Sequence, residues 1–195
     1  MEILMALLIG IGLSAAAGFR LFVPFFVISI AANTGHLTLS PGFEWIATET
    51  AVISFGLATV LEIGAYYVPV LDNLLDTVSA PAAFIAGSIL MASVVSDISP
   101  LLRWSLAVIA GGTVALSVQS LTAITRLSST TLSSGLGNPL LSTAEAAGST
   151  LLSVFSIFLP LMALILIISL FYFIYSKVFR AVYRRYLMKA GEIKS

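Results

Sequence analysis

The chain has 195 residues, of which 59% are hydrophobic and 9% charged, with nine basic residues balancing nine acidic ones and a mean hydropathy of +1.09. Soluble domains carry roughly a quarter charged residues, so a soluble domain of any size is excluded. The length leaves room for about six to eight apolar segments in one all-α, polytopic integral membrane domain.

In chain order, residues 3–17 form the first apolar segment. They resemble a signal peptide where the run meets Ser14, Ala15, Ala16, Ala17 and Gly18. Glu2 stands where a basic n-region belongs, so this reads as a retained membrane segment. Gly18, Phe19 and Arg20 interrupt it, and residues 21–32 follow with Pro24 in the first turn, where a missing N–H costs little. Both segments are shorter than the ~20 residues of a spanning helix. They read as half-helices or a re-entrant hairpin, or as one long helix kinked at Gly18.

Residues 33–44 are a polar loop holding His36 and punctuated by Ser40, Pro41 and Gly42, with Phe43 and Trp45 suited to a membrane interface. Residues 46–67 read as a full crossing. A short polar stretch, 71–79, precedes a small-residue apolar segment, 80–96. Asp97, Ser99 and Pro100 form a cap and break, and 101–119 crosses again. Residues 122–134 are hydroxyl-rich and contain Arg126, a composition better packed inside protein than facing lipid. Ser142 and Glu145 have capping-box spacing, opening a last apolar run through Gly148 and Pro160 to Tyr175. The domain thus covers 1–176, with two weakly similar halves, 1–96 and 101–176. Gly12 and Ala15 parallel Gly112 and Ala115, and Glu49 falls opposite Glu145 after a four-residue deletion. The match is either an internal repeat of the transporter kind, parallel or inverted, or chance similarity in apolar sequence.

Charge is uneven. Lys177, Arg180, Arg184, Arg185, Lys189 and Lys194 crowd the tail, 177–195, whereas only three arginines precede it. The positive-inside rule places that tail in the cytoplasm of a multi-pass protein of the cell inner membrane. Arg180 and Arg184, with Tyr183 and Tyr186 interleaved, suit a helix whose basic face touches anionic lipid; a plain topology anchor explains them equally. Membrane lipid is the expected partner, and homo-oligomers are compatible with the sequence. Nothing calls for nucleic acid.

Ionisable groups inside membrane segments are costly and functional by default. Asp72 and Asp76 are four apart, as are Asn73 and Thr77, so a helix gives them one oxygen-rich face. That face could hold a cation, relay a proton or bind a polar solute; the plain alternative makes Asp72 an N-cap beside water. Glu62 lies late in its segment without a sequence neighbour to pair, so it is protonated, paired with a distant arginine, or snorkels to the interface. Arg20 and Arg126 cannot shed their charge. We expect Arg20 to meet Asp72 or Asp76, and Arg126 to meet Glu62, Glu49 or Glu145, either as a working site or as a structural register lock.

Gly18, Phe19, Arg20 and Pro24, then Glu62 with Pro69, Asp72, Asn73, Asp76 and Thr77, then Arg126 with Gly137, Asn138, Pro139, Ser142 and Glu145, resemble the uncharacterised bacterial membrane family named domain of unknown function 4126. The resemblance spans about residues 1–175 and implies a multi-pass membrane protein without a settled activity. Two departures stand out. Tyr66 and Tyr67 occupy positions that in the family hold an acidic and a basic residue, and Ala146 stands where an acidic residue is common.

No catalytic constellation emerges. Cysteine is absent, His36 has no zinc-protease signature around it, and the serines lack a nucleophile elbow. Asp72 and Asp76 share one segment, unlike the paired aspartates of intramembrane proteases. Neither enzyme activity, a cofactor nor a metal is expected. The expected role is small-solute or ion transport, proton-coupled through Arg20, Glu62, Asp72, Asn73, Asp76, Thr77 and Arg126, with Glu49, Asn138 and Glu145 secondary. The alternative is a non-transporting structural, lipid-binding or partner-binding factor using the same residues to hold its fold.

Overall fold

The computed structural model describes residues 3–133, 137–173 and 176, with side chains described for all of these except 69, 70, 72–74, 76 and 130–133. The regular structure among the described residues is all helical, without strands: α1 (Ile3–Phe19), α2 (Phe22–Asn33), a 3-10 turn (Glu44–Ala47), α3 (Glu49–Ala65), α4 (Pro69–Val94), α5 (Pro100–Leu106), a π segment (Ala107–Gly112), α6 (Thr113–Ser133) and α7 (Asn138–Phe158). A shorter α8 covers Pro160–Phe173. Three stretches are long and apolar enough to cross a membrane: Thr77–Val94, Pro100–Ser129 and Asn138–Phe158. The basic tail lies outside the described residues.

α1 is the central column, and small residues let other helices reach its backbone. Ser14 donates to the Gly87 carbonyl of α4 at 2.8 Å, and Ser149 of α7 donates to the Ala16 carbonyl at 2.9 Å. Gly10 lies against Met91 and Val94, Gly12 against Ser156, and Gly18 against Ala115 and Val118. These contacts run α1 antiparallel to α4 and α7 and parallel to α6.

Arg20 breaks the chain between α1 and α2, and α2 returns toward the end from which α1 came. α2 in turn runs antiparallel to α3: Phe25 stacks on Phe55 with centroids 5.1 Å apart, and Glu62 reaches back to Leu21. The short segments therefore form the hairpin, with Arg20 at its tip. At 1.5 Å per residue, the 17 residues of α1 carry that tip about 25 Å along the bundle.

The opposite end gathers the loop 34–43, where Ser40 N–H meets the Ser93 carbonyl at 2.7 Å. Arg103 donates to the Pro41 carbonyl at 3.3 Å and Phe43 lies near Trp104. Glu44 is outside the spanning helices, and hydrogen bonds from its own amide and that of Gly42 hold its carboxyl below the usual range.

Several expected boundaries change. The separate segments 71–79 and 80–96 are one helix, α4, that passes through Pro81. The first turn of α4 is set by Val68 and Pro69, so Asp72 is not its N-cap. The crossing 101–119 and the hydroxyl-rich stretch after it are also continuous: α6 runs across their junction, and the π segment joins α5 to α6 within the crossing. Polar side chains along this helix bond to its own carbonyls: Ser120 to Leu116, Thr125 to Leu121 and Ser128 to Ile124. The final run breaks at Leu159 before Pro160. There α8 turns back beside α7, so Ser156 and Ala163 both face Gly12. α3, at 17 residues, is shorter than the crossing expected for 46–67.

Candidate functional site

The hairpin tip collects charge. Arg20 is 1% exposed; its Nη2 donates to the Ser142 hydroxyl at 2.6 Å and carbonyl at 3.0 Å and stands 3.2 Å from Glu145 Oε2. Arg126 takes the same carboxylate in two-pronged fashion, Nε to Oε1 at 3.0 Å and Nη2 to Oε2. One glutamate of α7 is thus shared by arginines from α6 and from the α1–α2 break. Such a bidentate contact suits a buried guanidinium, which stays ionised and needs a planar acceptor.

Tyr66, at the end of α3, lies under both cations: Arg20 Cζ is 3.8 Å and Arg126 Cζ 4.1 Å from its ring centroid. Its aromatic face replaces part of the hydration that two buried like charges would lose. Tyr66 is one of the three positions, with Tyr67 and Ala146, at which this chain departs from the resembled pattern, and there an aromatic ring faces two cations.

Glu62 behaves differently from every reading of it as a pair-forming or snorkelling residue. Its Oε1 accepts the Leu21 N–H at 2.7 Å and its Oε2 the Phe22 N–H at 3.0 Å. Leu21, the N-cap of α2, has no side chain able to do this, so Glu62 caps α2 from another helix.

Two cavities flank the cluster. A cleft of about 340 Å³ lies between the hairpin tip, α3 and α4; Glu62, Tyr66, Ser79 and Gln119 are polar points in a wall otherwise built of apolar side chains such as Phe22, Leu61 and Val78. Gln119 donates to Ser79 there at 2.8 Å. A smaller cavity of about 190 Å³ is lined by Thr122, Thr125, Glu145 and Leu170. Phe19 belongs to both linings.

The structure thus unites Arg20, Glu62, Arg126 and Glu145. Arg126 has one of its expected partners, Glu145. Arg20 also meets Glu145, and the side chains of Asp72, Asn73 and Asp76 lie outside the described residues. Thr77 is exposed on α4, Asn138 opens α7, and Glu49 is exposed in the first turn of α3, at the other end of that helix from Glu62. Ser142 and Glu145 are not a capping box: Gly137 is the N-cap of α7, and both side chains serve Arg20. His36 is exposed beside Thr34 and Phe158. Among the described residues, no group of three or more potential metal ligands occurs.

Tyr66 and Ser142 are site residues that sequence reasoning missed. The tyrosine was visible as a departure from the family pattern, but its role depends on two arginines converging from different helices.

The family model described as Domain of unknown function (DUF4126) matches residues 7–180. The chain belongs to that family. Neither a curated protein nor a solved structure matches it.

Proposed function

We propose that this member of the DUF4126 family moves a small solute or ion across the membrane, with the Arg20, Glu62, Arg126 and Glu145 cluster as the barrier between two half-paths. The observation that carries this reading is a pair of cavities that share Phe19 as a lining residue, with Glu62 and Tyr66 on one lining and Glu145 on the other. A broken helix pair that brings charge between the spanning helices is the arrangement by which many transporters build a site. Protonating a carboxylate would weaken its ionic hydrogen bonds, which supplies a switch; we also assign Asp72, Asn73, Asp76 and Thr77 to the transport role. By the positive-inside rule the tail is cytoplasmic, and the hairpin then enters from the opposite side of the inner membrane. The protein acts as one domain among lipids, without cofactor, metal or catalytic step.

Flux in proteoliposomes tests this. Protons, alkali cations and small carboxylates are each loaded, and the native chain is compared with Ala82→Phe, which fills the cleft, and with Asp72→Asn/Asp76→Asn. Flux of one solute that falls at least tenfold in Ala82→Phe is the expected result. Equal flux in native protein and the filled variant, or none for the whole panel, would overturn the reading.

A second reading, a static scaffold, draws on one observation: Glu145 is held by both arginines and leaves little to spare for a ligand. It predicts that all variants behave alike in flux and differ only in stability.

A further inference from the structure

We propose that Glu62 is the carboxyl group of the cluster that takes up and releases a proton, and that this proton loosens the start of α2 where it walls the cleft. The assignment rests on reading the cluster as a transport site and names its coupling ion and the residue that carries it.

The two described carboxylates of the cluster differ in what they hold. Glu145 faces the guanidiniums of Arg20 and Arg126. Neutralising it would strip two buried cations of the partner they share, a costly state. Glu62 makes no ion pair among the described residues: its oxygens accept the amides of Leu21 at 2.7 Å and Phe22 at 3.0 Å. Both donors are uncharged, so neutralising Glu62 takes a hydrogen-bonded partner from no guanidinium.

Glu62 is also reachable. It is only partly buried on α3 and lines the cleft of about 340 Å³, with Ser79 and Gln119 on the same lining. A cavity of that size with polar groups on its wall has room for the water that delivers a proton.

The cap decides what the proton does. Leu21, the N-cap of α2, has no capping side chain, and Pro24 removes one N–H from the first turn. Glu62 holds two of the donors that remain. An ionised carboxylate accepts on both oxygens, whereas a protonated one turns one oxygen into a donor. It also gives up the negative charge that favours a helix N-terminus. Leu21 and Phe22 both line the cleft, so a proton on Glu62 changes the cleft wall through two backbone hydrogen bonds.

The other charged or titratable groups of this end are Arg20 at the hairpin tip, Tyr66 after α3, Arg126 on α6 and Glu145 on α7. Asp72 and Asp76 stand near the start of α4, with side chains outside the described residues. These two aspartates are the rival proton carriers, and the experiment separates them from Glu62.

Infrared difference spectroscopy in ester-free detergent follows the protonated-carboxyl band over the pH range in which the protein stays folded. Native protein, Glu62→Gln and Asp72→Asn/Asp76→Asn are compared. Hydrogen–deuterium exchange, corrected for the intrinsic rate, follows the Leu21 and Phe22 amides in the same samples. The expected result is a titrating component that is present in native protein and in the aspartate variant and missing from Glu62→Gln. Protection of the two amides should fall about fivefold across that titration in native protein, the size of a lost N-cap, and should not change with pH in Glu62→Gln. Identical bands in native protein and Glu62→Gln, or amide protection in native protein that ignores pH, would overturn the proposal.

Should Glu62→Gln not fold, Glu62→Asp replaces it: the component must then move in pH, and an unmoved midpoint overturns the assignment. Titration of Glu62 with loosening of α2 but no flux leaves the assignment standing while the transport reading fails. Flux that responds neither to pH nor to Glu62→Gln does the reverse.

Discussion

Glu145 is the residue on which the charged cluster depends, because its single negative charge serves two buried arginines. Replacing it by glutamine should strip Arg20 and Arg126 of the carboxylate they share, costing about 3–5 kcal/mol. Denaturant unfolding in detergent measures this, with the exposed Glu49→Gln expected to stay within about 0.5 kcal/mol of native. Tyr66 makes a second test. Tyr66→Phe keeps a ring under both guanidiniums and should change stability little, whereas Tyr66→Leu should lose about 2 kcal/mol or more from cation–π contact. Equal losses in the two variants would mean that the hydroxyl, not the ring, holds the residue. Of these residues, Arg20, Arg126 and Glu145 were legible in the sequence, since an ionised group in an apolar chain must find a partner. The sharing of one carboxylate was not, because it depends on three helices meeting at one point.

At the level of elements, close backbone approach fixes how the helices cross. A Cβ on Gly87 would stand 2.6 Å from the Gly111 carbonyl oxygen, and one on Gly111 would stand 2.6 Å from Met91 Cβ. Gly87→Ala should therefore force α4 off the π segment and cost about 1–3 kcal/mol, as overpacking does. Gly64 on α3 has nothing within 4 Å of a would-be Cβ, so Gly64→Ala should be stabilising by up to about 1 kcal/mol through helix propensity. Thermal unfolding of the two variants side by side checks both signs. The break at Arg20 and the cap at Ser99, whose hydroxyl accepts the Leu102 N–H at 3.4 Å, were readable from glycine, proline and cap residues. The continuity of α4 through Pro81 and of the 101–119 crossing into the hydroxyl-rich stretch of α6 was not. Local signals there point to interruption, and packing against neighbouring helices overrides them. The serine and threonine residues of α6 looked ill suited to face lipid, but many fold their hydroxyls onto carbonyls of their own helix.

For the molecule as a whole, composition alone determined the solvent: a chain with so few charges can satisfy its backbone in hydrocarbon only as helices or a closed barrel, and its long apolar runs select helices. The scarcity of ionisable residues also determined which side chains to watch, because each one in an apolar setting carries a cost that must be met. The tertiary structure decided which of them come together. Glu62 caps α2 rather than finding an ion pair, Glu49 stays at the far end of its helix, and Ser142 with Glu145 turns from a helix start into the arginines' partners. Helix direction and folding back at Arg20 and Leu159 bring these groups together or keep them apart. Those turns depend on contacts between segments far apart in sequence, which no local pattern of residues records.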